Sequence, residues 1–540
     1  MKKYLRVTWI LLGIVLLAFF LRIYKVTEIP PSLSWDEVSI GYNAYSILKT
    51  GRDEHQRFLP PDAFAAFGDY KPPLAIYLTV PTVAAFGLTE LSVRLPSVIF
   101  GTITVLVTYF LIVELFYLKN WSRAMGLLGS FLLAISPLHI QLSRAGFEAN
   151  IATFFVACGM WFLYRARRDG RFWVVCWIPF VASTYTFNSS RYFWPIFAAG
   201  YLLANVSTVK LEAKRIAIGL FLAFLLLLPI APHLLSKEAR LRFTEVNIFN
   251  DYPLVFTANN RITQDGGGWW AKILHNRRVA FLRSYLIHFT DHLQPGFLFI
   301  RGDGNPKFSI QDVGQLYLIE APFLVIGVLG LFETFPAVAW FLLWWLVAAI
   351  APAAVARETP HALRIENSLP VWQIFVAYGV WQVLAARKKL NRVIAVGIIV
   401  VLYAGSFFYY LHNYYSRYAK EYSGEWQYGY REAIRYVQPL KSKYNQIVIT
   451  EGIGRPYIYA LFYEQTDPGL YWKTVDGSFD AAGFYNVRGF ENYRFNREGI
   501  GEFQGRTLYV LPPYQVPPGA HIVKTIYLLN GDPALVIFDV

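Results

Sequence analysis

The chain has 540 residues, of which 55% are hydrophobic and only 16% are charged. Soluble domains carry about 25% charged residues, so this composition excludes an ordinary soluble protein and points to a polytopic membrane protein. The formal net charge is +14, but Lys and Arg cluster in short runs between apolar segments, which is the pattern of the positive-inside rule and not of a nucleic-acid-binding surface.

The first apolar segment covers residues 7–24 and follows a basic start that includes Arg6. It continues into Arg22 and Lys25 without a small-residue cleavage site, so it reads as an uncleaved span with its N-terminus inside. Further apolar segments lie at about 95–117, 124–141, 149–164, 172–188, 192–208, 216–235, 317–335, 337–355, 369–385 and 392–411. A bilayer needs about 20 apolar residues per helical crossing, fewer with aromatic or basic flanks, and this predicts about eleven transmembrane helices. The basic loops at Lys119 and Arg123, at Arg165 to Arg171, at Lys210 to Arg215 and at Arg387 to Arg392 then all fall on the inner face. Residues 72–86 are apolar but short and carry Pro72, Pro73 and Pro81, so they read as an interfacial or re-entrant segment.

This topology puts residues 25–94, residues 236–316 and everything beyond 411 outside the cell membrane. The last stretch is more polar. It has helix-like segments at 426–437 and 456–462, strand-like segments at Gln446–Thr450, Thr507–Leu511 and 522–529, and a final strand from residue 534. The expected organisation is a transmembrane module over 1–411, with interfacial helices in its first outer loop, and a small extracytoplasmic α/β domain over 412–540. Cys158 and Cys176 lie in apolar segments and read as core residues, and the nine His show no metal-ligand spacing.

Three groups of residues suggest chemistry. Asp36 and Glu37 follow Trp35 just after the first span, ahead of a helix-like stretch at 40–48. An acid beside low-dielectric lipid can act as general base on a hydroxyl, whereas Ser34 or Asp36 can equally cap the helix that follows. Asp69, Tyr70 and Lys71 precede Pro72, Pro73 and Leu74. Lys71 is placed either to meet a phosphate or to snorkel. Arg144 with Glu148, Arg191 with Tyr192, and His361 with Arg364 and Glu366 stand at outer ends of spans, where the positive-inside rule disfavours arginine. They could line a cavity for an anionic headgroup. Asp303, between Gly302 and Gly304, reads as a turn residue that could also touch sugar hydroxyls or a divalent cation.

A first span, then Trp35, Asp36 and Glu37, then Tyr70, Lys71, Pro72, Pro73 and Leu74, together with the outer pair Arg144 and Glu148, resembles the GT-C glycosyltransferases. These include the dolichyl-phosphate-mannose protein mannosyltransferases and the bacterial lipid A aminoarabinose transferases. The likeness is strongest over about residues 1–200. It implies a polyprenyl-phosphate sugar donor, no nucleotide sugar, inversion at the anomeric carbon and an extracytoplasmic lipid, glycan or protein acceptor. The key acid of the family maps onto Asp36, with Glu37 beside it, and its phosphate-binding lysine onto Lys71. Asp69 stands one residue away from the acid that often adjoins that lysine. Arg144, Glu148, Arg191, Tyr192, His361 and Arg364 carry over by outer-end position only. No cofactor is implied, and a divalent cation at Asp36 or Asp303 stays open. A transporter or flippase of lipid-linked sugars, the rival reading, would place charges near the bilayer midplane and show internal repeats. Here the acids gather at one face and no repeat is evident.

Overall fold

The computed structural model describes residues 2–67, 69–480, 484–496 and 505–539. Each of the eleven apolar segments folds as helix. Among the described residues, five helices are long and apolar enough to cross a membrane: Leu5–Ile23, Glu90–Leu115, Pro336–Ala353, Glu366–Ala385 and Leu390–Glu421. A sixth is obtained if Ser122–Ala134 and Pro137–Arg144, bent by 57°, count as one span. The other apolar segments form shorter or interrupted helices, such as Phe172–Val175 followed by Trp177–Thr184. The segment expected at the interface is the helix Leu74–Phe86, 13 residues long. At 1.5 Å per residue it reaches about 20 Å, too short for a hydrocarbon core of about 30 Å.

By its contacts the chain divides into two compact units. The first comprises Met1–Ala18, Thr102–Gln141 and Ala152–Tyr410. It is helical, and the stretch 236–316, expected as a large outer loop, contains the helices Glu238–Val246, Tyr252–Gln264, Trp269–Leu274 and Arg277–Asp291.

The second unit comprises Phe19–Gly101, Leu142–Ile151 and Leu411–Val540. It holds a hairpin of β1 (Phe64–Ala66) and β2 (Asp69–Lys71) and a seven-stranded mixed sheet. The sheet strands are β3 (Gln446–Thr450), β4 (Asp476–Phe479), β5 (Tyr485–Phe490), β6 (Tyr493–Asn496), β7 (Thr507–Leu511), β8 (His521–Tyr527) and β9 (Pro533–Asp539), in the order β4-β5-β6-β3-β7-β9-β8. β3 runs parallel to both β6 and β7. Buried on both faces, it reads as a continuous run of Ile, Val and Ile, as central parallel strands do. β3 and β7 match the strands expected from sequence, and β8 and β9 match to within two residues. β4, β5 and β6 carry no comparable apolar pattern and were not expected.

The helix Trp35–Thr50 is buried over most of its length and shares one apolar core with this sheet. Val38, Ile40 and Ile47 join Ile447, Ile449, Phe462 and Leu508 in that core. Tyr42 and Tyr459 tie the two chain segments together with hydrogen bonds, to the carbonyls of Thr466 (3.2 Å) and Leu33 (2.9 Å). Gly41 lets this helix approach closely, since a Cβ there would lie 2.6 Å from both Phe462 and Val93. Overpacking a core typically costs about 1–3 kcal/mol, more than the helix propensity that a β-branched residue gains over Gly. Gly41→Val is therefore expected to lower stability by about 2 kcal/mol in detergent-solubilised protein, measured by thermal unfolding.

Candidate active site

The site forms within the second unit. Ser34 is the N-cap of the helix Trp35–Thr50 and closes a capping box with Glu37. The capping role considered for Asp36 therefore belongs to Ser34, and the Asp36 carboxylate turns elsewhere.

Lys71 ends β2, where Pro72 stops the strand because it has no N–H to donate. Its side chain is only 5% exposed. Nζ lies 2.8 Å from Asp36 Oδ1, 3.3 Å from Glu148 Oε1 and 4.0 Å from Asp69 Oδ2. Burial opposes the ammonium, but the charges of Asp36, Glu148 and Asp69 outweigh it and hold the Lys71 pKa above the ordinary lysine range. A lysine so enclosed is not snorkelling. Asp36 is the most open of the three acids, with 37% of its side chain exposed against 32% for Asp69 and 13% for Glu148. Among the described residues no group of three or more His, Cys, Asp or Glu is arranged to hold a metal ion. At Asp36, Lys71 Nζ already occupies the centre of the acids.

Glu37 faces the other way. It is fully buried, and its carboxylate accepts from Arg94 Nε (2.8 Å), the Gly146 N–H (2.9 Å) and the Ser34 N–H (2.9 Å). A Cβ at Gly146 would sit 3.2 Å from Val93 and 3.3 Å from Glu37, so a side chain there would crowd this contact. The Arg94 guanidinium, also fully buried, donates to the carbonyls of Val26 (2.7 Å), Pro30 (2.8 Å) and Ser32 (2.6 Å). It lies 5.8 Å from the ring of Trp426.

Arg144 does the same for the preceding residues. It is fully buried and donates to the carbonyls of Leu21 (2.8 Å), Arg22 (3.2 Å) and Ile29 (2.8 Å), and through Nε to the Tyr414 hydroxyl (3.0 Å). Each of its three nitrogens is thus engaged, and the rings of Tyr414 and Tyr415 cover the guanidinium at 5.2 and 5.4 Å. Arg94 was not among the residues singled out from sequence. Its signal was a lone cation at the edge of an otherwise apolar span.

The second unit thus brings together Asp36, Asp69, Lys71 and Glu148. Tyr70, between Asp69 and Lys71, is partly buried. Arg191, Tyr192, His361 and Arg364 belong to the first unit. There Arg191 donates to the Asn188 carbonyl (3.1 Å) and side chain beside the exposed ring of Tyr192. Asp303 takes its expected turn, accepting from the Asn305 N–H (2.8 Å) and also from the Ala362 N–H (2.6 Å). Burial pushes its pKa up to about 6 in spite of both donors. His361 Nδ1 stands 4.0 Å from the same carboxylate. The His361 N–H donates to His292 Nε2 (3.2 Å), and burial lowers the His292 pKa to about 4. Arg364 donates to the Glu358 carbonyl at 3.1 Å. Glu366 is fully buried.

A family model described as dolichyl-phosphate-mannose-protein mannosyltransferase matches residues 70–235, beginning one residue before Lys71. The Bacillus subtilis (strain 168) protein "Putative mannosyltransferase YkcB" is 26% identical over 215 residues, 39% of this chain and 28% of that protein's length. ArnT from Cupriavidus metallidurans superposes with a TM-score of 0.52 at 12% identity, covering 98% of this chain and 97% of its own, both in the apo state and bound to undecaprenyl phosphate. The Archaeoglobus fulgidus oligosaccharyltransferase in its apo form gives 0.50 at 14% identity over 86% of this chain and 64% of its own. The chain has the GT-C fold. The resemblance read from Trp35 to Leu74 is therefore borne out at the level of the fold.

The Arg94–Glu37 pair is a test of the site's framework. Removing one partner of a buried pair leaves an uncompensated charge and costs about 3–5 kcal/mol. Arg94→Met is expected to lose that much stability in thermal unfolding. Adding Glu37→Gln should recover part of the loss, because the orphaned charge is then gone.

Proposed function

We propose that the protein is an integral membrane glycosyltransferase that takes a sugar from a polyprenyl-phosphate donor and attaches it to an extracytoplasmic acceptor. The reading rests on one observation above the rest: a buried lysine, Lys71, ion-paired to Asp36 at 2.8 Å beside Glu148 and Asp69. The match of residues 70–235 to a mannosyltransferase model and the fold shared with a structure that binds undecaprenyl phosphate support it.

The electrostatics suggest an order of events. One ammonium faces three carboxylates, so the phosphodiester of a donor, itself an anion, binds Lys71 only by displacing one of them. Asp36 is the most exposed and yields first. Its release from the ammonium leaves a carboxylate oxygen to face the acceptor hydroxyl. Asp36 then takes the proton of the acceptor hydroxyl as the acceptor oxygen bonds to the anomeric carbon. The bond from that carbon to the phosphate oxygen breaks, and polyprenyl phosphate leaves with the electron pair. Lys71 stabilises the charge that develops on it. Glu37, Arg94 and Arg144 position the loop and do not meet substrate. Where the acceptor is itself a phosphate, no base is needed and Asp36 serves to orient it.

Two substitutions separate the roles, assayed with polyprenyl-phosphate mannose as donor. Asp36→Asn keeps the shape and should bind donor nearly as wild type while transfer falls about 10²–10⁴-fold, the usual cost of a lost general base. Lys71→Ala should weaken donor binding and, because it leaves the neighbouring carboxylates without their buried cation, should also lower thermal stability. Transfer within about threefold of wild type for Asp36→Asn would remove it as the base, and unchanged donor affinity for Lys71→Ala would remove Lys71 from the phosphate site.

A further inference from the structure

The helices of the first unit between residues 252 and 291 leave an apolar face uncovered. Arg277–Asp291 packs Phe281 edge-on against Phe249, with ring centroids 5.5 Å apart. On its opposite side Val279, Leu282 and Leu286, spaced i, i+3 and i+7, are 45%, 58% and 53% exposed. This is the apolar stripe of an amphipathic helix with no protein against it among the described residues. The short helix before it, Trp269–Leu274, exposes Trp269 (76%) and Ile273.

The charge of the segment points to the occupant. Residues 252–291 hold five cations, Arg261, Lys272, Arg277, Arg278 and Arg283, against two acids, Asp265 and Asp291. Lys272, Arg277, Arg278 and Arg283 are exposed. Asp265 is already paired to His275 at 2.8 Å. The helix Arg277–Asp291 has 15 residues, about 22 Å of length, and carries three arginines, so it is too short and too charged to cross the bilayer. Exposed leucines, a Trp at the flank and an excess of cations together describe a segment lying in the plane of the interface. Arg283 shares the leucine face, and its long stem allows the guanidinium to rise to headgroup level.

We propose that residues 269–287 form an in-plane membrane-docking surface that recognises the anionic headgroups of the bilayer. Val279, Leu282 and Leu286 enter the acyl boundary, and Lys272, Arg277 and Arg278 meet lipid phosphates. This anchors the connection between spans independently of any donor bound at Lys71.

The test uses the full-length protein in vesicles, with Cys158→Ala and Cys176→Ala as background and single spin labels at Leu282→Cys, Leu286→Cys and, as an aqueous reference, Tyr514→Cys. Collision rates with oxygen and with a water-soluble nickel chelate are compared in phosphatidylcholine alone and with added phosphatidylglycerol. Both helix labels should favour oxygen in the anionic vesicles. Replacing Lys272, Arg277 and Arg278 together by Gln should shift them toward nickel there, and much less in phosphatidylcholine. Nickel access equal to that at residue 514 would overturn the proposal. So would spin–spin broadening with neither reagent admitted, which would mark a second copy of the chain as the occupant. Oxygen preference insensitive to the three substitutions would overturn the anionic recognition.

Discussion

The architecture of the site depends on two buried guanidiniums that hold the backbone between the first helix and the second. Arg94 and Arg144 together donate to the carbonyls of Leu21, Arg22, Val26, Ile29, Pro30 and Ser32. Without these donors the buried carbonyls of the helix end and the loop after it would stay unsatisfied, at about 1–3 kcal/mol each. Arginine solves the problem better than lysine because its planar fork reaches several acceptors at once and stays charged when buried. The two cations are balanced differently. Arg94 has the Glu37 carboxylate, whereas Arg144 has backbone dipoles and the faces of Tyr414 and Tyr415.

That framework determines which of two adjacent acids is enclosed. Glu37 is drawn inward by Arg94, Gly146 and Ser34, and the helix Trp35–Thr50 starts at a fixed point because Ser34 caps it. Asp36 then projects toward the hairpin β1–β2 and meets Lys71. Two neighbouring carboxylates thus have different environments, one saturated and enclosed, the other paired to Lys71 and partly open.

The C-terminal sheet contributes to the same structure. Its strands and the helix Trp35–Thr50 share a core, and Tyr459 bonds the Leu33 carbonyl one residue before the cap. Residues more than 400 positions apart in the chain therefore hold the same short segment. A helix packed into a rigid sheet is positioned more accurately than one on a loop.

From the sequence alone, composition and basic-loop pattern were enough to establish a helical, polytopic chain. Its apolar segments are all helical because a run of hydrophobic residues in lipid must satisfy its own backbone. The strands β3 and β7 were legible from their apolar runs, and Asp36 and Lys71 from the motifs around them. What the sequence could not separate was function from framework among the charges. Asp36 and Glu37 look alike in a row of letters, as do Arg94, Arg144 and Arg191. Only the tertiary structure decided that Glu37 and Arg94 are partners, that Arg144 is engaged by backbone, and that Lys71 gathers Asp36, Asp69 and Glu148. Those pairings join residues up to 123 positions apart, and each depends on which carbonyls and carboxylates folding brings within hydrogen-bonding distance, a property of packing that no local pattern encodes.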